Sequence, residues 1–144
     1  MLSDNLVMLR RLNGYSQEEV AERIGISRQA YAKWESGATV PDILRCGALA
    51  DLYGVSIDSL LKTEQVEGVG AIPPAPNGKH IWGSVTVGDR GQLVIPKEAR
   101  ERFGIVGGTR LIVLGDGEGI ALIPAKVFEA RIRAVLEAAA METE

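Results

Sequence analysis

The sequence predicts a multidomain α plus β protein: a helical bundle, then a small β domain, then a final helix. Three observations predict it. Up to residue 62, apolar side chains recur at three- and four-residue spacing, the period of amphipathic helices. Between Thr63 and Lys79, Glu-Gln-Val-Glu-Gly-Val-Gly-Ala-Ile-Pro-Pro-Ala-Pro-Asn-Gly breaks that period and reads as an interdomain linker. Beyond it, short runs rich in Val, Ile and Leu alternate with glycine-containing turns, as strands do. The expected division is 1–62 for the helical domain, 63–79 for the linker, 80–124 for the β domain and 125–144 for a C-terminal amphipathic helix.

In the first domain, Leu6, Leu9 and Leu12 mark a helix that Asn13-Gly14 ends. Ser16 and Glu19 have the spacing of a capping box, which starts a second helix with Val20, Ala21 and Ile24 facing inward. Gly25 supplies a tight turn, and Ser27 caps a third helix through Trp34 that stops near Gly37. Pro41-Asp42 begins a fourth helix carrying Leu44, Leu49, Ala50 and Leu52, and Ser56 caps a short fifth. Five short helices in about 60 residues make a compact bundle, and the second and third are joined by a turn of about four residues, as in a helix-turn-helix.

Composition narrows the functional classes. The chain has 144 residues, 46% of them hydrophobic, so packed cores need no metal or disulfide staple. Its single cysteine, Cys46, excludes an internal disulfide and a cysteine zinc cluster, and it sits in an apolar stretch that suits a packed free thiol. The lone histidine, His80, has no neighbours in metal-ligand spacing and reads as a surface residue at the linker edge. With one His and one Cys so placed, and no Walker-type glycine loop, neither an enzyme nor a cofactor is expected. No basic leader or membrane-length apolar run occurs, so a soluble cytoplasmic protein is expected. The net charge of -3 is unusual for a nucleic-acid binder and demands a local cationic face, used twice in a dimer.

The residues Ser16-Gln17-Glu18-Glu19-Val20-Ala21-Glu22-Arg23-Ile24-Gly25-Ile26-Ser27, then Tyr31, Trp34-Glu35-Ser36-Gly37 and Pro41, closely resemble the lambda repressor/Cro (XRE) family. The resemblance covers roughly residues 3 to 61 and implies that the third helix enters the major groove of DNA. Helical periodicity sets Tyr31 and Trp34 on one side of that helix and Arg28, Gln29, Ala32 and Lys33 on the other. Arg28 or Lys33 can donate to guanine O6 and N7, Gln29 can pair with the adenine N6/N7 edge, and Ala32 permits close approach. Ser27 and Gln17 resemble the family's phosphate clamps, with Thr39 a further backbone contact. Tyr31 and Trp34 are expected in the core, and the family positions of Arg10 and Glu35 imply an ion pair bracing the third helix against the first. The competing reading of Arg28, Gln29 and Lys33 is an ordinary solvated helix face.

In the second domain, residues 81–87, 92–95, 110–114 and 120–123 read as strands, Pro96 to Gly104 as a short helix, and Asp116-Gly117 with Gly119 as a hairpin turn. Four such strands cannot shield a core alone, so a partner chain is implied. Val85-Thr86-Val87, Gly91-Gln92-Leu93-Val94-Ile95-Pro96-Lys97-Glu98-Ala99-Arg100, Phe103-Gly104-Ile105 and Gly108 resemble the AbrB/SpoVT/MazE swapped-hairpin family over residues 82 to about 124. That resemblance implies one small barrel built by two interlocked chains, hence an obligate homodimer. Arg90, Lys97, Arg100 and Arg102 are secondary candidate DNA contacts, but Gln92 and Glu101 stand where DNA-binding members tend to carry Arg, so dimerisation is the first reading of this domain. Phe128, Ile132, Val135, Leu136 and Ala139 form the stripe of the final helix, which leaves room for a higher oligomer.

Together the two resemblances imply a sequence-specific transcriptional regulator, a homodimer bound to double-stranded DNA at a pseudo-palindromic operator, with no membrane role. The alternative is a DNA-binding antitoxin that also binds a toxin partner. A flexible linker of about 16 residues would let each head reach about 20 to 24 Å.

Overall fold

The computed structural model describes residues 1–143. The chain forms two compact units, the first Met1–Ser84 and the second beginning at Val85.

The first unit opens with five helices: α1 (Leu2–Leu12), α2 (Gln17–Ile24), α3 (Arg28–Glu35), α4 (Ile43–Tyr53) and α5 (Ile57–Leu61). Side-chain caps fix most of their starts. The Ser16 hydroxyl accepts from the Glu19 N–H at 3.1 Å while the Glu19 carboxylate accepts from the Ser16 N–H at 2.6 Å. Ser27, Asp42 and Ser56 cap α3, α4 and α5 in the same sense. At Gly25 the backbone adopts φ 72°, a left-handed turn that lets α3 leave α2 after one short loop.

Leu6, Val20, Tyr31, Leu49 and Leu60 are fully enclosed at the centre of this bundle, with Leu9, Ala21, Trp34, Ala50, Tyr53 and Val55 around them. Each large apolar side chain buried there contributes about 1.5–3 kcal/mol. Two of the leucines that mark these helices in the sequence are exposed, Leu12 at 68% and Leu44 at 82%. Leu44 lies about half a turn away from Cys46, Ala50 and Tyr53, the face α4 buries, because 3.6-residue periodicity separates them. Leu12 shares the inward face of α1 but occupies its last residue, at the edge of the packed region.

Polar side chains close the bundle. Asn5 is fully buried on α1, and its amide donates to the carbonyls of Leu60 at 2.8 Å and Lys62 at 2.6 Å. Those carbonyls belong to the end of α5, where intrahelical donors run out, so one side chain satisfies orphaned acceptors and ties the first helix to the fifth. The Tyr31 and Tyr53 hydroxyls share a buried hydrogen bond of 2.8 Å.

Residues 63–79, expected as a linker, contain a short antiparallel hairpin of β1 (Glu64–Val66) and β2 (Gly70–Ile72), with Gln65 opposite Ala71. The chain then runs through Pro73-Pro74, of which Pro74 is buried, and the Asn77 N–H donates to the Gly54 carbonyl at 2.8 Å.

The second unit holds α6 (Lys97–Phe103), the antiparallel pair β3 (Leu111–Gly115) and β4 (Ile120–Pro124), and α7 (Ala125–Glu142). Pro96 precedes α6 and Gly104, at φ 62°, ends it. The Asp116 carboxylate accepts from the Glu118 and Gly119 N–H groups and shapes the β3–β4 turn.

The expected AbrB-like barrel is not closed in this chain, and residues 81–87 and 92–95 are not strands in it. A strand is defined by its ladder, and the only ladder among the described residues of this unit is β3–β4. Residues 88–92 do turn back, with the Gly88 N–H donating to the Gln92 carbonyl at 2.8 Å. The flanking segments are left with open edges and exposed apolar side chains, Val87 at 59% and Val94 at 74%. Ala99 is the one buried hydrophobic residue among those described in this unit. No helix of the described residues is long and apolar enough to cross a membrane.

The buried amide makes a clear stability prediction. Replacing Asn5 with Ala leaves carbonyls of the α5 terminus without their donor and should destabilise the first unit by about 2 kcal/mol. Leu12→Ala, at an exposed site, should cost under about 0.5 kcal/mol. Urea denaturation followed by circular dichroism compares the two, and equal losses would contradict the role assigned to Asn5.

Candidate nucleic-acid interface

The outward face of α3 is built from a capped start and a braced end. Ser27 precedes the helix with extended backbone, and its hydroxyl accepts from the Ala30 N–H at 3.1 Å. No acidic residue stands in the first turn, so the positive end of the helix dipole faces outward unneutralised. Arg28, Gln29 and Lys33 are exposed and Ala32 is half-buried beside them. Tyr31 and Trp34 turn the other way into the core, with ring centroids 6.1 Å apart in an edge-to-face arrangement. Thr39 is exposed in the loop after α3, held there as its N–H donates to the Lys33 carbonyl at 3.2 Å.

The brace is an ion pair at the end of α3. Arg10 of α1 donates from Nε to Glu35 Oε1 at 2.6 Å and from a terminal nitrogen to Oε2 at 3.1 Å, a two-pronged contact of a planar fork with a carboxylate. Its remaining terminal nitrogen donates to the Tyr15 carbonyl at 3.1 Å. Gln17, the first residue of α2, donates from its amide to Glu35 Oε2 at 2.9 Å. The Glu35 side chain is only 6% exposed and therefore locks α1, α2 and the loop between them to α3.

The electrostatics follow from that enclosure. Burial pushes the Glu35 carboxyl up, but hydrogen bonds from Arg10, Gln17 and Tyr31 outweigh it and hold the group below its ordinary value of 4.5. The bond to Glu35 raises Arg10 in turn. Burial, then the bond from Tyr53, keeps the Tyr31 hydroxyl far above the range in which it could ionise, while burial pushes Tyr53 up to about 12. The paired phenols stay neutral, and each can donate or accept.

Several of these partners escape a reading of periodicity alone. Tyr53 supplies the hydroxyl behind α3, and Asn5 and the Tyr15 carbonyl complete the polar framework. Asn5 left one signal, a polar residue four positions before Leu9 on the inward face of α1. Tyr15 also lies under the Arg23 guanidinium, 4.6 Å from its ring centroid, which stiffens the α1–α2 corner.

The secondary candidates lie in the second unit, Arg90 in the loop of residues 88–92 and Lys97, Arg100 and Arg102 on α6. The Arg90 N–H donates to the Gln92 side-chain oxygen at 3.0 Å, and Gln92 curls so closely over Gly88 that a Cβ there would meet it at 2.8 Å. Gln92 thus shapes its own loop. Lys97 lies 3.7 Å from Glu101, Arg100 Nε donates to the Ile95 carbonyl at 3.0 Å, and Arg102 is exposed. Elsewhere Cys46 is buried with its sulfur 3.8 Å from the Pro41 carbonyl, and His80 stacks on Trp82 at 5.5 Å. Among the described residues, no group of three or more His, Cys, Asp or Glu could hold a metal ion.

The sign of the Glu35 shift sets a pH prediction. A carboxyl held below its unfolded value adds stability above about pH 4.5 and loses it as pH falls through the depressed folded value. The first unit should therefore weaken on acidification below 4.5, and Glu35→Gln should flatten that part of the profile. At neutral pH, Arg10→Met strands the carboxylate and should cost about 3 kcal/mol. Denaturant titrations across pH test both, and an unchanged acid limb in Glu35→Gln would refute the assignment.

Comparison with known proteins adds to this geometry. Residues 6–60 match the helix-turn-helix family model, and residues 84–129 match the model described as antidote-toxin recognition MazE, bacterial antitoxin. The chain is 42% identical over 62 residues to the SPbeta prophage-derived uncharacterized HTH-type transcriptional regulator YonR of Bacillus subtilis (strain 168), covering 43% of this chain and 57% of that protein. It is 36% identical over 69 residues to the uncharacterized HTH-type transcriptional regulator YqaE of the same organism, covering 48% of this chain and 60% of that one. The chain thus spans less than two thirds of the length of these relatives. Among solved structures, the N-terminal DNA binding domain of SinR from Bacillus subtilis aligns with TM-score 0.42 and 25% identity, over 44% of this chain and 94% of that one. The chain accordingly joins a helix-turn-helix domain over residues 6–60 to a MazE-like domain over residues 84–129.

Proposed function

We propose that the protein is a sequence-specific DNA-binding transcriptional regulator that acts as a homodimer on a pseudo-palindromic operator. The observation that carries the reading is the outward face of α3, where Arg28, Gln29 and Lys33 stand free of acidic neighbours in the first turn while Glu35 fixes the helix from behind. Such a face suits the major groove. Arg28 or Lys33 pairs with guanine, Gln29 with adenine, and Ala32 lets the backbone approach. Ser27, Gln17 and Thr39 serve the phosphates and set register. Because the Gln17 amide is also bonded to Glu35, its phosphate contact uses the second amide hydrogen.

The second copy comes from the MazE-like domain. Its open strand edges and exposed Val87, Val94, Val113 and Ile120 need a cover, and a second chain interlocked through 81–87 and 92–95 supplies it. Two heads then address half-sites about one helical turn, roughly 34–36 Å, or a small multiple apart. Arg90, Lys97, Arg100 and Arg102 take a minor part, because Gln92 is bound up in its own loop. One observation favours a second reading, a DNA-binding antitoxin: the match of residues 84–129 to the MazE family. Co-purification of a small toxin would select it.

Selection from a random duplex pool tests the proposal. The wild type should select an inverted repeat, and Arg28→Ala should lose preference at one symmetric position, a discrimination of about 1–3 kcal/mol. No selected motif with the wild type sinks the proposal, and an unchanged motif with Arg28→Ala removes that residue from base reading.

A further inference from the structure

Residues 63–77 have the composition of a spacer but the contacts of a folded element. At their start, Asn5 holds the Lys62 carbonyl. The β1–β2 hairpin follows, with its turn closed by the Val69 N–H on the Val66 carbonyl at 3.0 Å. Next, Ile72 and Pro73 to Ala75 line an apolar groove with Leu9, Leu12, Tyr53 and Val55, and Pro74 is buried. The Asn77 N–H then reaches Gly54, the left-handed cap of α4 at φ 65°, whose carbonyl accepts it at 2.8 Å. Prolines at 73, 74 and 76 restrict this stretch before it docks, so little chain entropy is lost on docking.

We infer that residues 63–77 are a docked arm of the helix-turn-helix unit and that this arm, by shortening the tether to the MazE-like domain, sets which half-site separations the dimer accepts. The inference rests on the proposed reading of α3 as the DNA reader and of the second domain as the dimer former. With the arm docked, at most residues 78–84 can swing. A flexible run of about 7 residues has a root-mean-square reach of about 13–16 Å, against about 20–24 Å for about 16 residues. The Ser84 hydroxyl, which donates to the Glu67 carbonyl at 3.2 Å, limits even that stretch. A short tether concentrates the second head around few positions, so avidity is gained at a narrow set of spacings and falls away outside it.

Two readouts on the full chain test this. Hydrogen exchange should show the Asn77 amide at least about tenfold slower than an unstructured amide, with Pro74→Asp releasing it. Binding is then measured to duplexes carrying two copies of the selected half-site at separations increased one base pair at a time. The wild type should favour a narrow range by at least about tenfold, and Pro74→Asp should spread binding over wider separations to within about threefold. Asn77→Pro, which removes the donor to Gly54, should broaden the spacing profile in the same way should Pro74→Asp fail to fold. A glycine-serine insert after Gly78, leaving the arm in place, should broaden the profile as well.

Fast exchange at Asn77 in the wild type overturns the docked arm. Identical spacing profiles in the wild type and an arm-released variant overturn its role in spacing. A wild type that binds no duplex selectively defeats the functional reading and the spacing role together, and slow exchange at Asn77 tells that outcome apart from failure of the arm itself.

Discussion

The helix-turn-helix unit depends on one enclosed carboxylate. Glu35 sits at the end of α3, where a negative charge is unfavourable to the helix dipole, and is almost wholly removed from water. Neither feature would persist without Arg10 and Gln17, which arrive from two other helices with three hydrogen bonds. The residue that is costly to bury thereby specifies the packing of α1, α2 and α3 more sharply than apolar contacts could. Leucines tolerate small slides, whereas a planar fork on a carboxylate accepts one geometry. The same contact relates the inner side of the unit to its outer one, because Gln17 belongs to both the brace and the surface proposed to meet phosphate.

How much of this could be read in the sequence depends on how local each determinant is. The starts of α2, α3 and α5 follow from serine caps that act within four residues, and all are present. Tyr31 and Trp34 were legible as core because helical periodicity separates them from Arg28 and Lys33. Leu44 is apolar yet exposed, because which face of α4 is covered is decided by its packing against α2 and α5. Asn5 and Tyr53 were silent for the same reason, since their partners lie 55 and 22 residues away. Beyond Thr63, a glycine- and proline-rich composition describes conformational preference and is silent on the long-range hydrogen bond from Asn77 to Gly54.

In the second unit the sequence anticipated more strand than one chain forms. Residues 111–115 and 120–124 find each other across a five-residue reach and pair. The segments around 85–87 and 92–95 have the same apolar composition and a turn between them, yet no ladder. Strand propensity is a statement about a surface that fits a neighbour, and the neighbour is missing from the chain itself. Exposed valines and one buried hydrophobic residue, Ala99, among those described mark a unit with little core of its own. α7 carries the same mark, with no buried residue along its length.

The Asn5 amide has a consequence for how the unit comes into being. It joins residue 5 to residues 60 and 62, so the contact that closes the bundle spans nearly the whole of it. During synthesis the chain emerges amino end first, and α1 must wait for its last acceptors. The contact between α1 and the end of α5 therefore forms only after Lys62 has been made, and it closes a loop over long sequence separation.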